Sequence, residues 1–276
     1  MTNLKLLRPI KFLIALESEA LPIVKFFNLK PCKNVNMPYK IYANYIEKIY
    51  LLVSGMGYKK ARLGVDELNH FIEKDKNCLW VNLGLAGHKI YDIGNIYEIK
   101  KVMYTKNKQS LFTNTFAHYF KSQTLLTVER EEKKYKQKFL YDMEGYGFLE
   151  ALDKIAKRDN TFIFKIVSDN KRKKPENYKV FAENIIKKHL PKIKDLLFKH
   201  RYLEIKNNLD IKFILNSIKK KYHLTFYNEK KLEKLISKII VFKKKQVILT
   251  EIATSESLSK LMENYENSLS NQILKI

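Results

Sequence analysis

The sequence predicts an α/β fold, and three observations carry that prediction. Apolar runs of strand length, among them Ile10–Leu16, Trp80–Leu83 and Thr161–Val167, are separated by stretches with helical periodicity. The runs end in acids or glycine turns, as strands that hand over to helices do. The ends of three runs carry Glu19, Asp142-Met143-Glu144 and Ser168-Asp169. An open α/β sheet binds its ligand just beyond the carboxyl ends of its strands, so these acids are predicted to converge.

The elements follow in order. Ile10–Leu16 reads as a buried strand, with Glu17-Ser18-Glu19 behind it and an apolar stretch through Phe27. Leu51-Leu52-Val53 enters the turn Ser54-Gly55-Met56-Gly57 and then a helix marked by Ala61, Gly64, Val65, Leu68 and Ile72. A strand, a glycine turn and a helix amino terminus offer backbone N–H groups to an anion or a hydroxyl. Trp80-Val81-Asn82-Leu83 is a further strand, entering the turn Gly84-Leu85-Ala86-Gly87, and Asp92 to Ile99 reads as a turn and the next strand. Leu125 to Arg130 is a short strand and turn. Phe139-Leu140-Tyr141 runs into Asp142-Met143-Glu144-Gly145, after which Phe148, Leu149, Leu152, Ile155 and Ala156 recur at helical spacing. Asp142 is the expected cap of that helix, and Gly145 leaves room for a ligand. Thr161–Val167 ends in Ser168-Asp169. Taken singly, an acid after a strand is more often a solvated helix cap; three in corresponding positions weigh against that reading.

Lys171-Arg172-Lys173-Lys174-Pro175 reads as a solvated loop before a long helix with Val180, Phe181, Ile185, Ile193 and Leu197 on its buried side and Pro191 as a kink. Beyond it, Phe213, Ile214 and Ile218 predict one helix. Asn228 caps a second with Leu232, Leu235, Ile236 and Ile239 on one face, and Leu258, Leu261, Met262 and Tyr265 mark a third. The expected organisation is an α/β domain over residues 1–200 and a mainly helical extension over 201–276, docked rather than free, because its apolar stripes need a partner.

Composition narrows the class. The chain of 276 residues is 45% hydrophobic, enough for a substantial core, and no apolar run reaches the length of a membrane span. Arg8, Pro9 and Lys11 interrupt the amino-terminal segment, which argues against a signal peptide and for a cytoplasmic protein. Cys32 and Cys78 give no disulfide framework or metal spacing, and the six histidines form no H-x-x-x-H ligand motif. The formal charge is +24, yet of 53 basic residues 47 are Lys and only 6 are Arg. Specific nucleic-acid readers favour Arg, so the excess reads as a solvated surface and no nucleic-acid partner is expected.

Taken in order, Ala15-Leu16-Glu17-Ser18-Glu19, Ser54-Gly55-Met56-Gly57, Asn82-Leu83-Gly84-Leu85-Ala86-Gly87, Ile93-Gly94-Asn95-Ile96, Asp142-Met143-Glu144 and Val167-Ser168-Asp169 resemble the nucleoside phosphorylase and nucleosidase superfamily. Within it they are most similar to the methylthioadenosine/S-adenosylhomocysteine nucleosidases. The resemblance implies a three-layer fold, a central mixed sheet flanked by helices, and hydrolysis of the N-glycosidic bond of a purine nucleoside, a 5′-modified adenosine. By that resemblance Asp169 protonates or hydrogen-bonds the purine at N7, and Glu19 positions and deprotonates water. Glu144 holds the ribose hydroxyls, and Met143 packs on the sugar. Ser54, Gly55, Ala86, Gly87, Ser168, Thr127 and Val128 are the further implied substrate contacts. Lys165 stands where the family carries an arginine at its water or phosphate site. No cofactor or metal is implied, and a homo-oligomer is expected.

Two readings remain beside the hydrolase. Phosphorylases of the superfamily bring arginines to phosphate, whereas the turn after Asn82 here carries Leu83 and Leu85, and apolar side chains do not compensate a dianion. A non-catalytic descendant that binds a protein or nucleic acid is the other, favoured by a shortened middle segment between Asn95 and Glu144, where related nucleosidases build the purine pocket. Leu125 to Arg130 is its expected remnant.

Overall fold

A computed structural model describes residues 7–32, 38–72, 77–107, 109–113, 119–240 and 243–273. The chain divides into two compact units, residues 1–198 and 199–276, so the boundary falls two residues before the expected one.

In the first unit the described strands are β1 (Ile10–Ile14), β2 (Lys30–Pro31), β3 (Lys40–Asn44), β4 (Ile49–Val53), β5 (Leu79–His88), β6 (Ile96–Tyr104), β7 (Ser110–Phe112), β8 (Lys121–Thr127), β9 (Leu140–Asp142) and β10 (Thr161–Asn170). They form one mixed sheet. Strand β1 lies between two parallel neighbours, β4 and β5, and all five of its residues are buried, which is why its sequence is a continuous run and not an alternation. Strand β5 also pairs with β9 and β10; β10 pairs with β6, β6 with β8 and β8 with β9. These five strands therefore close a circuit on themselves, and β4, β3 and β2 extend from β1 as an open wing.

Helices α1 (Glu17–Phe26) and α2 (Tyr58–Phe71) follow β1 and β4, and α3 (Gly145–Leu152) follows β9. One face of the sheet packs on α2 and α3 through Ala61, Val65, Leu68, Phe148, Leu149 and Leu152. The other packs on Ala20 and Ile23 of α1 and on Ile186, Leu190, Ile193 and Leu197 of α4 (Tyr178–Lys221). The expected three layers are present. Helix α3 ends at Leu152, so Ile155 and Ala156 pack on the same core from the turn beyond it. Of the expected buried stripe of α4, Ile193 and Leu197 are buried and Ile185 packs on the same core, and only its first two residues depart. Val180 is exposed and Phe181 half-buried, while Ala182, Ile186 and Leu190 take the inner face, and the helix runs through Pro191.

In the second unit α5 (Phe226–Ile239), α6 (Lys245–Thr254) and α7 (Leu258–Ile273) surround an apolar core that includes Ile214, Ile218, Leu232, Ile236, Ile248, Leu261 and Tyr265. Phe213 is exposed. The cap of α5 is Thr225, whose hydroxyl accepts from the Asn228 N–H at 3.2 Å; Asn228 is the donor to the cap and not the cap. Among the described residues no helix is long and apolar enough to cross a membrane.

Candidate active site

A cavity of about 370 Å³ opens at the carboxyl ends of β1, β5 and β10, lined among others by Glu19, Ala86, Gly87, Val128, Met143, Glu144, Ser168 and Asp169. The three predicted acids do share one cleft. What holds each of them differs.

Glu19 sits in the first turn of α1, where its Oε2 accepts from the Leu16 N–H at 3.2 Å and its Oε1 from the Leu85 N–H at 2.9 Å. It is thus the cap that its position suggests, but a buried one, tied to the end of β5 and facing the cavity. Burial pushes its carboxyl above the ordinary value, against those two N–H donors and the charge of Lys165. Glu144 precedes α3 and accepts at Oε1 from the Gly57 N–H at 2.8 Å. Gly57 has φ +106°, a conformation that side-chain-bearing residues avoid, and that turn aims its N–H at the carboxylate. Burial, then the neighbouring Asp142, push Glu144 up to about 7. A carboxyl group poised there exchanges a proton near neutral pH.

Asp142 also lines the cavity, and Lys165 lies behind it. Lys165, 1% exposed, places its Nζ 2.8 Å from Asp142 Oδ2, which also accepts from the Gly145 N–H at 2.8 Å, while Oδ1 accepts from the Thr127 hydroxyl at 2.7 Å. Asp142 is not the cap residue of α3, a position held by Glu144, but it takes the helix's first N–H, from Gly145, and is also the lysine's counter-ion. Burial works against charge on Lys165, but Asp142, Glu144 and Glu19 outweigh it, so its ammonium is held charged.

Asp169 follows a bulge in β10 between Val167 and Asp169, which re-aims the end of the strand into the cavity. Its Oδ1 accepts from the Ser168 hydroxyl at 2.5 Å, and its Oδ2 accepts from the hydroxyl of Tyr135. Tyr135 also lines the cavity, as do Met56, Glu131, Glu132, Tyr141 and Tyr178. Burial, then the charge of Asp169, push Tyr178 up to about 12.

The remaining predicted contacts separate into two groups. Ala86, Gly87, Val128, Met143 and Ser168 line the cavity. Ser54, Gly55, Thr127 and Lys165 stand outside its lining. The hydroxyl of Ser54 donates to the Gly55 carbonyl at 3.0 Å, and the Gly55 N–H to the Ala15 carbonyl at 3.0 Å, fastening the turn after β4 to the end of β1. Thr127 and Lys165 serve Asp142. Tyr135 was not legible as a site residue, because Lys133-Lys134-Tyr135-Lys136 has the composition of a solvated loop. Among the described residues no cluster of His, Cys, Asp or Glu has the arrangement of a metal site.

No family model and no curated protein matches the chain. Solved structures do. It resembles the 5′-methylthioadenosine nucleosidase of Arabidopsis thaliana with a TM-score of 0.58 at 16% identity, over 69% of this chain and 96% of that one. The 5′-methylthioadenosine/S-adenosylhomocysteine nucleosidase of Campylobacter jejuni gives 0.54 at 15% identity, over 67% and 96%. The Helicobacter pylori nucleosidase with butyl-thio-DADMe-Immucillin-A gives 0.57 at 13% identity, over 70% and 99%. The chain therefore has a nucleoside phosphorylase/nucleosidase-like fold, close to that of the methylthioadenosine/S-adenosylhomocysteine nucleosidases.

Proposed function

We propose that the protein hydrolyses the N-glycosidic bond of a purine nucleoside, a 5′-modified adenosine such as methylthioadenosine, S-adenosylhomocysteine or 5′-deoxyadenosine. The observation that carries the reading is that Glu19, Glu144 and Asp169 line one cavity, whose volume suits a small molecule. Glu19, with its raised carboxyl, is the base toward water. Glu144 accepts from the ribose hydroxyls, with the Met143 thioether beside the sugar. Asp169 delivers a proton to the leaving purine, so that charge building on the base in the transition state is neutralised as the bond to carbon lengthens. The shared fold with nucleosidases supports the same assignment.

Water is favoured over phosphate as the nucleophile. Among the described residues no arginine or lysine lines the cavity, and Lys165, the cation just behind it, is committed to Asp142. A dianion entering among these carboxylates has no compensating charge. One observation favours the non-catalytic alternative: the phenol of Tyr135 already engages Asp169.

The test is chromatographic detection of free base from methylthioadenosine, S-adenosylhomocysteine, 5′-deoxyadenosine, adenosine and inosine, with and without phosphate. Phosphate-independent adenine release, lowered about 10²- to 10⁴-fold in Asp169→Asn, is the expected result. Phosphate-dependent release assigns a phosphorylase instead, and silence across the panel favours the non-catalytic reading.

A further inference from the structure

Between Glu129 and Lys138, on the segment joining β8 to β9, ten successive residues are exposed or half-buried except one: Tyr135, 3% exposed. Its backbone has φ +40°, in the left-handed region that residues other than glycine seldom occupy. Its ring packs with Val128 and Tyr141 in a small cluster separate from both faces of the main core, with Met143 at its edge. The ring of Tyr141 lies 5.4 Å away, centroid to centroid. The phenol reaches across Gly87, where a Cβ would collide with the hydroxyl oxygen, and donates to Asp169. A solvated strap thus carries a single buried side chain, and glycine at 87 leaves the space it fills.

From this arrangement we infer that Tyr135 is the specificity-determining residue at the base end of the cavity. Its phenol holds Asp169 in the ligand-free protein, and the incoming base displaces it. The inference rests on the assignment of Asp169 to the purine. The phenol and a purine nitrogen compete for the same carboxyl oxygen, so only a ligand that brings an N–H to the carboxylate, or a bare nitrogen that pairs with the protonated acid, repays the bond it breaks. An apolar ring of the same size takes the phenol from Asp169 Oδ2 and replaces it with nothing, leaving the half-buried carboxyl with the Ser168 hydroxyl on Oδ1 alone. Burial and the carboxylate both raise the phenol, so it remains a neutral donor through the physiological range. The separate cluster gives the physical means: the strap can withdraw Tyr135 without unpacking either layer of the core.

Two measurements on the full chain test this. Calorimetric titration with adenine is expected to give about ten-fold tighter binding to Tyr135→Phe than to the wild type, because a hydrogen bond to a charged group no longer has to be broken. Equal or weaker binding would make the phenol a permanent positioning group and overturn the proposal. Hydrogen–deuterium exchange of residues 129–139 without ligand is expected to be at least ten-fold faster in Tyr135→Phe, and unchanged exchange overturns the plug itself. If exchange accelerates but neither protein binds adenine nor releases base from any nucleoside, the plug stands and the purine assignment fails.

Discussion

The two ends of the cavity are built by different means. At one end Glu19 and Glu144 are gripped by main-chain N–H groups of Leu16, Leu85 and Gly57, above a buried Lys165–Asp142 pair. At the other, Asp169 is held by two side-chain hydroxyls, from Ser168 and Tyr135. Backbone donors are fixed by the sheet and the helix starts, so they cannot leave without local unfolding. Hydroxyls rotate, and a tyrosine on a solvated strap can move away. On the proposed function, the fixed end would take sugar and water, whose positions must be exact, and the adjustable end the base, which has to be admitted and released.

The contrast can be broken hardest at the fixed end. Lys165→Met leaves Asp142 as an uncompensated buried charge and is expected to destabilise the first unit by about 3–5 kcal/mol, measurable by chemical denaturation. A loss below 1 kcal/mol would mean that the pair is not the foundation of that end. A smaller effect concerns titration. Glu144 must be ionised to accept from ribose hydroxyls, so nucleoside affinity is expected to fall about tenfold per pH unit below 7, and this dependence should vanish in Glu144→Gln. The sign for stability is opposite. A carboxyl raised in the folded state from its ordinary 4.5 contributes stability that is present below 4.5 and lost as pH rises through about 7. Glu144→Gln should remove that decline from the stability profile. The smallest effect is expected at the adjustable end, where Ser168→Ala removes one of two donors to Asp169 and should cost about 1 kcal/mol of ligand affinity, or roughly five-fold. A hundred-fold loss would show that this end is as rigid as the other.

Much of this was legible in the chain itself. The acids at strand ends could be read because fully buried strands are unbroken apolar runs and the residue that ends such a run declares itself. The starts of α2 and α3 were equally clear, from glycine turns and helical periodicity. The orientation of Lys165 was not, because β10 is buried on both faces and shows no alternation from which to read which way a side chain points. Its sequence position suggested a place at the anion site; the fold gave it to Asp142. In α4 the expected stripe held at Ile185, Ile193 and Leu197 and failed at its start, where Val180 is apolar yet exposed and Phe181 only half-buried.

The sequence by itself determined the layers and the three carboxylates, because periodicity and turn chemistry are local; it did not fix the strand ends, since β5 runs through the expected Gly84–Gly87 turn to His88 and β10 continues past Val167 to Asn170. Only the tertiary structure decided which oxygens of those acids are already taken. Pairing β5 with β1, β9 and β10 brings residues from distant parts of the chain to one rim, and a bulge in β10 sets the direction of Asp169. Tyr135 belongs to that second category. Nothing local separates it from a solvated loop; it becomes part of the site because Gly87, 48 positions earlier, leaves room for its ring.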